Sequence, residues 1–137
     1  MMKYMTARYK DGARGETENG VLLYDCWGLA RAARHELYGK PLLASRAGEY
    51  LHDKRGMTRH YSEQASEMKE TFNPDAGSVI AVLSHSGLCV HVAMLAADDK
   101  VLEMTPKSGV RLIPLRRFLA ENSHRVIKFY DDPDISQ

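Results

Sequence analysis

Beyond Pro74 the chain is written in short aliphatic and β-branched runs separated by brief polar connections, and no other feature narrows its possible folds as much. The runs are "SVIAVL", "LCVHVAML", "KVLEMT", "GVRLIPL" and "RVIKFY". Such residues suit a pleated, half-buried surface, so each run is expected to be a strand. The connections "SHSG", "AADD" and "PKSG" are too short for crossover helices, which makes the neighbours antiparallel. "LRRFLAEN" reads as one or two helical turns before the last strand. The chain ahead of Pro74 follows a different period. Asp25 is a fitting N-cap, and Leu29, Ala33 and Leu37 then recur every four residues. Trp27 and Ala30 widen that face, and Gly39 and Pro41 end the helix. A second helix is expected where Tyr61, Ala65, Met68 and Phe72 fall at i, i+4, i+7 and i+11. From Met1 to Gly20 the polar, glycine-punctuated sequence reads as loop around one short element. Helices followed by a mostly antiparallel sheet of five to six strands make an α+β domain. At 137 residues, it is expected to be a single domain over 1–137.

Composition removes several classes of function. Lysine and arginine number 19 against 18 for aspartate and glutamate, a formal net charge of +1. That balance offers no footprint for nucleic acid or an anionic membrane surface. Two cysteines do not make a disulfide framework and are too few for a structural zinc site without histidines, so a free-thiol protein of a reducing compartment is expected. The N-terminal "MMKYMTARYKDGARG" has no signal-peptide core, and nothing approaches the roughly 20 apolar residues that cross a bilayer. A protein cytoplasmic at synthesis is the expectation.

Chemistry concentrates at "YDCWGLARAARHELYG". A thiol attacks as its thiolate, and a free cysteine with a pKa of about 8.5 is mostly protonated at neutral pH. A helix N-terminus favours the anion through unpaired N–H groups and the macrodipole, and Cys26 sits at such a position. The same N–H groups suit a developing oxyanion. A base must then take the thiol proton and return it to the leaving amine. Of six histidines, His35 is more than two turns along the helix from Cys26. His52, His60 and His124 stand in polar surroundings, and His85 in a turn. His91 alone lies inside an apolar strand, where alternation puts Cys89, His91 and Ala93 on one face and Val90, Val92 and Met94 on the other. The competing reading is structural: free cysteine is among the most buried residue types, and a strand histidine serves packing as readily as catalysis. Cys89, mid-strand, lacks an activating environment.

"DCWGLARAARHELYGKPL" resembles the nucleophile motif of the NlpC-like cell-wall cysteine peptidases, in particular the phage and prophage branch in which Asp-Cys-Trp-Gly-Leu opens the helix. "NPDAGSVIAVL" is similar to the family's Pro-Gly-Asp-Val strand, "HVAMLAADDKVLEMTPKSGVRLIPL" to its histidine strand and hairpin, and "VIKFYD" to its closing strand. The resemblance runs from about Tyr24 to Tyr130. It implies a papain-like α+β domain that hydrolyses amide bonds in peptidoglycan stem peptides, with Cys26 as nucleophile and His91 as base. It implies no metal or organic cofactor. The position of the residue that orients the imidazole, commonly histidine, matches Glu103.

Glutamate at that position allows two readings. An ionised carboxylate accepting the imidazole N–H would fix the tautomer and favour the imidazolium; alternatively Glu103 faces solvent and the role is empty. Ser78 replaces the aspartate of Gly-Asp-Val, and Ala93 stands where a glycine often follows His-Val. "MKYMTARYKDGARG" faintly resembles the family's aromatic-Xaa-Xaa-Gly-Gly loop, which would make Tyr9 an oxyanion donor although Ala13 replaces the second glycine. Tyr24 is the competing aromatic, with packing as its other role. Trp27 would cover the start of the active-site helix, unless it is core. A phage or prophage tail protein is the implied setting, with other tail proteins as partners. The alternatives are a catalytically impaired tail-assembly module of the same fold, and an amidase or acyltransferase using the same Cys-His pair.

Overall fold

The computed structural model describes residues 1–45 and 54–133. A short helix α1 (Met2–Met5) leads into strands β1 (Arg8–Tyr9), β2 (Arg14–Glu18) and β3 (Val21–Tyr24). These form a three-stranded sheet in the order β1-β3-β2, with β1 parallel and β2 antiparallel to β3. The N-terminal segment is thus built of elements where the sequence reads as loop. Its strands escape a pattern reading because they are short and β2 buries almost nothing. The glycine signals are real but mark tight reversals, with Asn19 and Gly20 both at positive φ (51° and 78°) between β2 and β3.

Helix α2 (Cys26–Tyr38) starts and stops where its end signals place it. The Asp25 side chain accepts from the Gly28 N–H, and Gly39 closes the helix in the left-handed conformation at φ 66°. Its inner face holds Trp27, Leu29, Ala30 and Ala33, and also the fully buried Arg34, which the apolar pattern passed over. Helix α3 (Lys54–Ala65) ends earlier than the periodicity suggests. Met68 follows the helix, strand β4 (Lys69–Thr71) comes next, and Phe72 is 94 % exposed. The buried face of α3 includes His60 and Gln64 beside Met57, so counting apolar residues followed the wrong stripe.

The remaining strands fall on the expected runs: β5 (Val79–Leu83), β6 (Cys89–Ala96), β7 (Lys100–Thr105), β8 (Gly109–Pro114) and β9 (Val126–Asp131), with α4 (Leu115–Glu121) before the last. They form one six-stranded sheet in the order β4-β9-β5-β6-β7-β8, and every pairing in it is antiparallel. The chain is an α+β protein with a mostly antiparallel sheet. Helices α2 and α3 pack on one side, against β6. Phe118 of α4 is buried in a second apolar cluster with Ile80, Val82, Ala93, Leu95, Val101 and Ile113. Among the described residues no helix is long and apolar enough to cross a membrane.

Strict alternation fails once along β6. Opposite β5, Val82 pairs with His91 and the next residue, Leu83, pairs with Cys89, so Val90 is an extra residue in a bulge. Cys89 consequently joins Val92 and Met94 in the core cluster beneath α2, while Val90 packs with the cluster containing Ala93 and Leu95. The expected face containing Cys89, His91 and Ala93 together is therefore not formed.

Candidate active site

Local rules bring Cys26 to the head of α2. Strand β3 ends at Tyr24, Asp25 caps the helix, and Cys26 is the first helical residue. The cap is heavily held. Asp25 is fully buried; Oδ1 accepts from the Gly28 N–H at 2.7 Å and meets Arg14 Nη1 at 2.8 Å, while Oδ2 accepts from the Gly12 N–H at 3.1 Å. Such partners offset the cost of burying a polar group away from water. Leu29 N–H is used by the Asp25 carbonyl, which leaves the Cys26 and Trp27 N–H groups of the first turn as the free donors of the helix end. Cys26 is 6 % exposed.

His91 joins Cys26 to Glu103. Its Nε2 lies 2.8 Å from Glu103 Oε1, and Cys26 is near enough for its hydrogen bonding and charge to act on the ring; with Nε2 engaged by Glu103, Nδ1 is the nitrogen left for the sulfur. Burial disfavours the imidazolium, but the hydrogen bonds and charges of Cys26 and Glu103 outweigh it and raise the His91 pKa to about 9. Glu103 is 3 % exposed, which removes the reading in which it faces solvent. Burial pushes its carboxyl up, whereas His91 and Arg111 pull it below the ordinary range, and the pull wins. Arg111 reaches Glu103 Oε2 with Nε at 3.0 Å and also with Nη2. The two oxygens of one carboxylate are thereby divided between the imidazole and a guanidinium.

Arg111 was not singled out from the sequence, although a signal existed. The β7–β8 hairpin pairs Thr105 with Gly109, and that register places Glu103 opposite Arg111. A cavity of about 410 Å³ opens on this side of the imidazole, lined by Val90, His91, Glu103, Arg111, Asn122 and Arg125 among others. Cys26 is not part of its lining.

The other expected site residues separate into two groups. Tyr9 is half-buried near the thiol; its hydroxyl donates to Asp11 Oδ1 at 3.2 Å. Burial first, then the negative charges of Asp11, Cys26 and Asp25, hold its phenol well above the ordinary range, so it stays a neutral donor. Tyr24 and Trp27 are core residues. Tyr24 packs its ring 5.8 Å from that of Tyr4 and against Gly15, and Trp27 donates its indole N–H to the Ala44 carbonyl at 2.9 Å. At 4 % and 3 % exposure both are almost wholly buried.

Cys89 is fully buried, and its thiol contacts the His91 carbonyl, not the imidazole. His60 is a buried residue of α3, contrary to the polar surroundings expected for it. His35 points its Nδ1 at the Lys40 carbonyl, and His85 and His124 are exposed. His52 lies outside the described residues. Ser78 donates to Asp131 Oδ1 at 2.5 Å and accepts from the Asp75 N–H. Among the described residues no group of three or more His, Cys, Asp or Glu side chains could hold a metal ion. No protein-family model matches the sequence, and no curated protein does.

Proposed function

We propose that the chain is a thiol hydrolase of papain-like type that cleaves an amide bond in peptidoglycan stem peptides, in a phage or prophage tail protein. One observation carries the chemical part of this reading: His91, hydrogen-bonded to the buried Glu103, is raised in pKa by Cys26, the first residue of α2. The substrate class rests on the resemblance of "DCWGLARAARHELYG" and the strands that follow it.

In this reading His91 takes the Cys26 proton and the sulfur attacks the carbonyl carbon of the substrate amide. The resulting oxyanion is met by the N–H groups of the first turn of α2, with Tyr9 as a neighbouring donor once its hydroxyl turns from Asp11. His91 then passes its proton to the departing amine, the C–N bond breaks, and an acyl-thioester remains on Cys26. Water, deprotonated by His91, attacks the thioester, releases the acid and restores the thiol. Glu103 fixes the tautomer that leaves Nδ1 facing the sulfur.

A second reading is a tail-assembly module of the same fold without turnover. It is favoured by the 6 % exposure of Cys26 and by its place outside the cavity that His91 lines. Incubation with purified peptidoglycan and with soluble stem tetrapeptide, followed by mass spectrometry of released fragments, separates the two. New amine termini from the wild type, absent with Cys26→Ala and His91→Ala, support the hydrolase. Cleavage that persists in Cys26→Ala, or no cleavage of either substrate, refutes it. An added amine that appears in the product would instead mark acyl transfer.

A further inference from the structure

Glu103 presents a physical problem that His91 alone does not solve. A carboxylate at 3 % exposure is costly unless compensated, and without a cation it protonates. His91 compensates it only while charged. In a thiol hydrolase the imidazole gives up its proton in every turnover, so the compensation would vanish at the moment when the tautomer matters most. Arg111 cannot lose its charge, and its fork contacts Glu103 through Nε at 3.0 Å and through Nη2.

The guanidinium is itself held. Glu121, the last residue of α4, accepts from Arg111 Nη2 at 2.6 Å and from Nη1 at 3.4 Å, and Arg117 one turn earlier donates to Glu121 at 3.0 Å. Helix α4 is in turn fixed to the sheet by the fully buried Phe118. A row of alternating charge therefore runs from the surface of α4 through Arg111 to Glu103, which meets the imidazole of His91. The charged and titratable groups around Glu103 are His91 from β6, Arg111 from β8, Glu121 and Arg117 from α4, Arg125 on the cavity wall and, across the imidazole, Cys26 of α2.

We propose that Arg111 is a positioning residue for the Cys26–His91 pair: acting through Glu103, it keeps that carboxylate ionised and aimed at Nε2 while His91 is neutral, with Glu121 of α4 as its outer anchor. The proposal rests on Cys26 and His91 reacting as a pair but not on any particular substrate.

The test is the rate of Cys26 alkylation by iodoacetamide, followed by mass spectrometry across about pH 4 to 9, in the full chain. Removing a cation next to a carboxylate is expected to shift its titration up, so in Arg111→Met the acid limb of the profile should move up by about one pH unit, and the rate at a pH on that limb should fall about tenfold. Arg111→Lys keeps the charge but cannot grip two carboxylates with a planar fork. Its acid limb should stay near that of the wild type while the plateau falls several-fold. In Glu121→Gln, which leaves Arg111 in place, a two- to threefold loss is expected. Should Arg111→Met fail to fold, Glu121→Gln decides the matter: that loss supports the proposal, and a wild-type profile overturns it. Wild-type limbs and plateaus in both folded Arg111 variants would overturn it as well, since a purely structural arginine would move stability and leave the profile alone. His91→Ala separates this inference from its premise. If His91→Ala leaves Cys26 reactivity untouched there is no pair to position, and both fail; if it lowers reactivity while the Arg111 variants do not, only the role of Arg111 fails. Absence of peptidoglycan cleavage with the Arg111 effects intact would remove the substrate reading and keep this one.

Discussion

Gly28, in the motif "DCWGL", gives a prediction whose sign opposes helix propensity. Alanine in a helix interior is worth about 1 kcal/mol more than glycine, so Gly28→Ala in an ordinary first turn would stabilise. Here a Cβ at position 28 would meet the Ala13 backbone carbonyl at less than 3.0 Å, closer than real Cβ contacts come. That carbonyl cannot retreat freely, because it accepts from the Asp25 N–H at 3.3 Å and from Arg14 Nη1 at 2.8 Å. Moving it loses one ordinary hydrogen bond, about 1 kcal/mol, and one to a charged donor, about 1.5–3 kcal/mol. Keeping it in place means overpacking, about 1–3 kcal/mol. Set against about 1 kcal/mol of propensity, moving the carbonyl leaves a net loss of roughly 1.5–3 kcal/mol and overpacking one of up to about 2 kcal/mol, so a net loss of roughly 1–3 kcal/mol is expected. For a chain of 137 residues each kcal/mol corresponds to about 3–4 °C in Tm, so Tm should fall by roughly 3–12 °C.

Thermal unfolding followed by circular dichroism reads this directly, and Arg14→Met supplies the second arm. With the Arg14 hydrogen bond already gone, the carbonyl can move more cheaply, so Gly28→Ala should cost less in that background than in the wild type. A Gly28→Ala variant that melts within about 2 °C of the wild type, or above it, would mean that the 10–13 loop is not pressed onto the head of α2. The account of how Asp25 and Arg14 frame Cys26 would then be wrong.

Three further outcomes can be checked with the same protein. Glu103 has a lowered folded-state pKa, so its contribution to stability is present above the ordinary carboxyl value of about 4.3 and is lost as pH falls below it; urea midpoints of the wild type should drop more steeply between about pH 5 and 3 than those of Glu103→Gln, and parallel curves would contradict this. His91 has a raised value, about 9, so its contribution is complete below the unfolded value of about 6.5 and is lost as pH climbs through 9; in Cys26→Ala, which removes one of the two partners, that loss should begin at lower pH, and an unchanged alkaline limb would show that the sulfur does not hold the imidazole. Arg34 is fully buried, with Nε on the Gly77 carbonyl at 3.0 Å, Nη1 on the Pro41 carbonyl at 2.9 Å and Nη2 on Asp132 at 2.9 Å; Arg34→Met leaves those acceptors unmet and should cost about 3–5 kcal/mol in chemical denaturation, whereas a loss under about 1 kcal/mol would show that water replaces the guanidinium.

What the sequence disclosed depended on whether an interaction is local. Helix α2 was legible from end to end because its cap, apolar stripe and terminating glycine all lie within the helix or beside it. The strands after Pro74 were legible because each buries a short aliphatic run and joins its neighbour through a brief connection. The β6 alternation misled where one extra residue, Val90, shifts the faces: a bulge is set by pairing with β5 and leaves no mark in the periodicity of β6 itself. Helix α3 misled because His60 and Gln64 are buried with Met57, and a search for apolar residues cannot register a polar buried stripe.

The two arginines that frame the site differ in the same way. Arg111 was within reach of the sequence: a three-residue turn at 106–108 sets the β7–β8 register, that register puts Arg111 across from Glu103, and opposite charges at paired positions stabilise a sheet. Arg14 was not within reach, since its pairing with Asp25 depends on how β2 folds back on β3, past a register shift between Arg14 and Thr17. Both arginines nevertheless solve one electrostatic problem. Asp25 caps the helix that carries the thiol, Glu103 holds the imidazole, and each carboxylate is almost wholly removed from water. Burying a carboxylate without a partner is costly. Each is paired with a guanidinium, whose charge is fixed whether the proton between Cys26 and His91 is on sulfur or nitrogen.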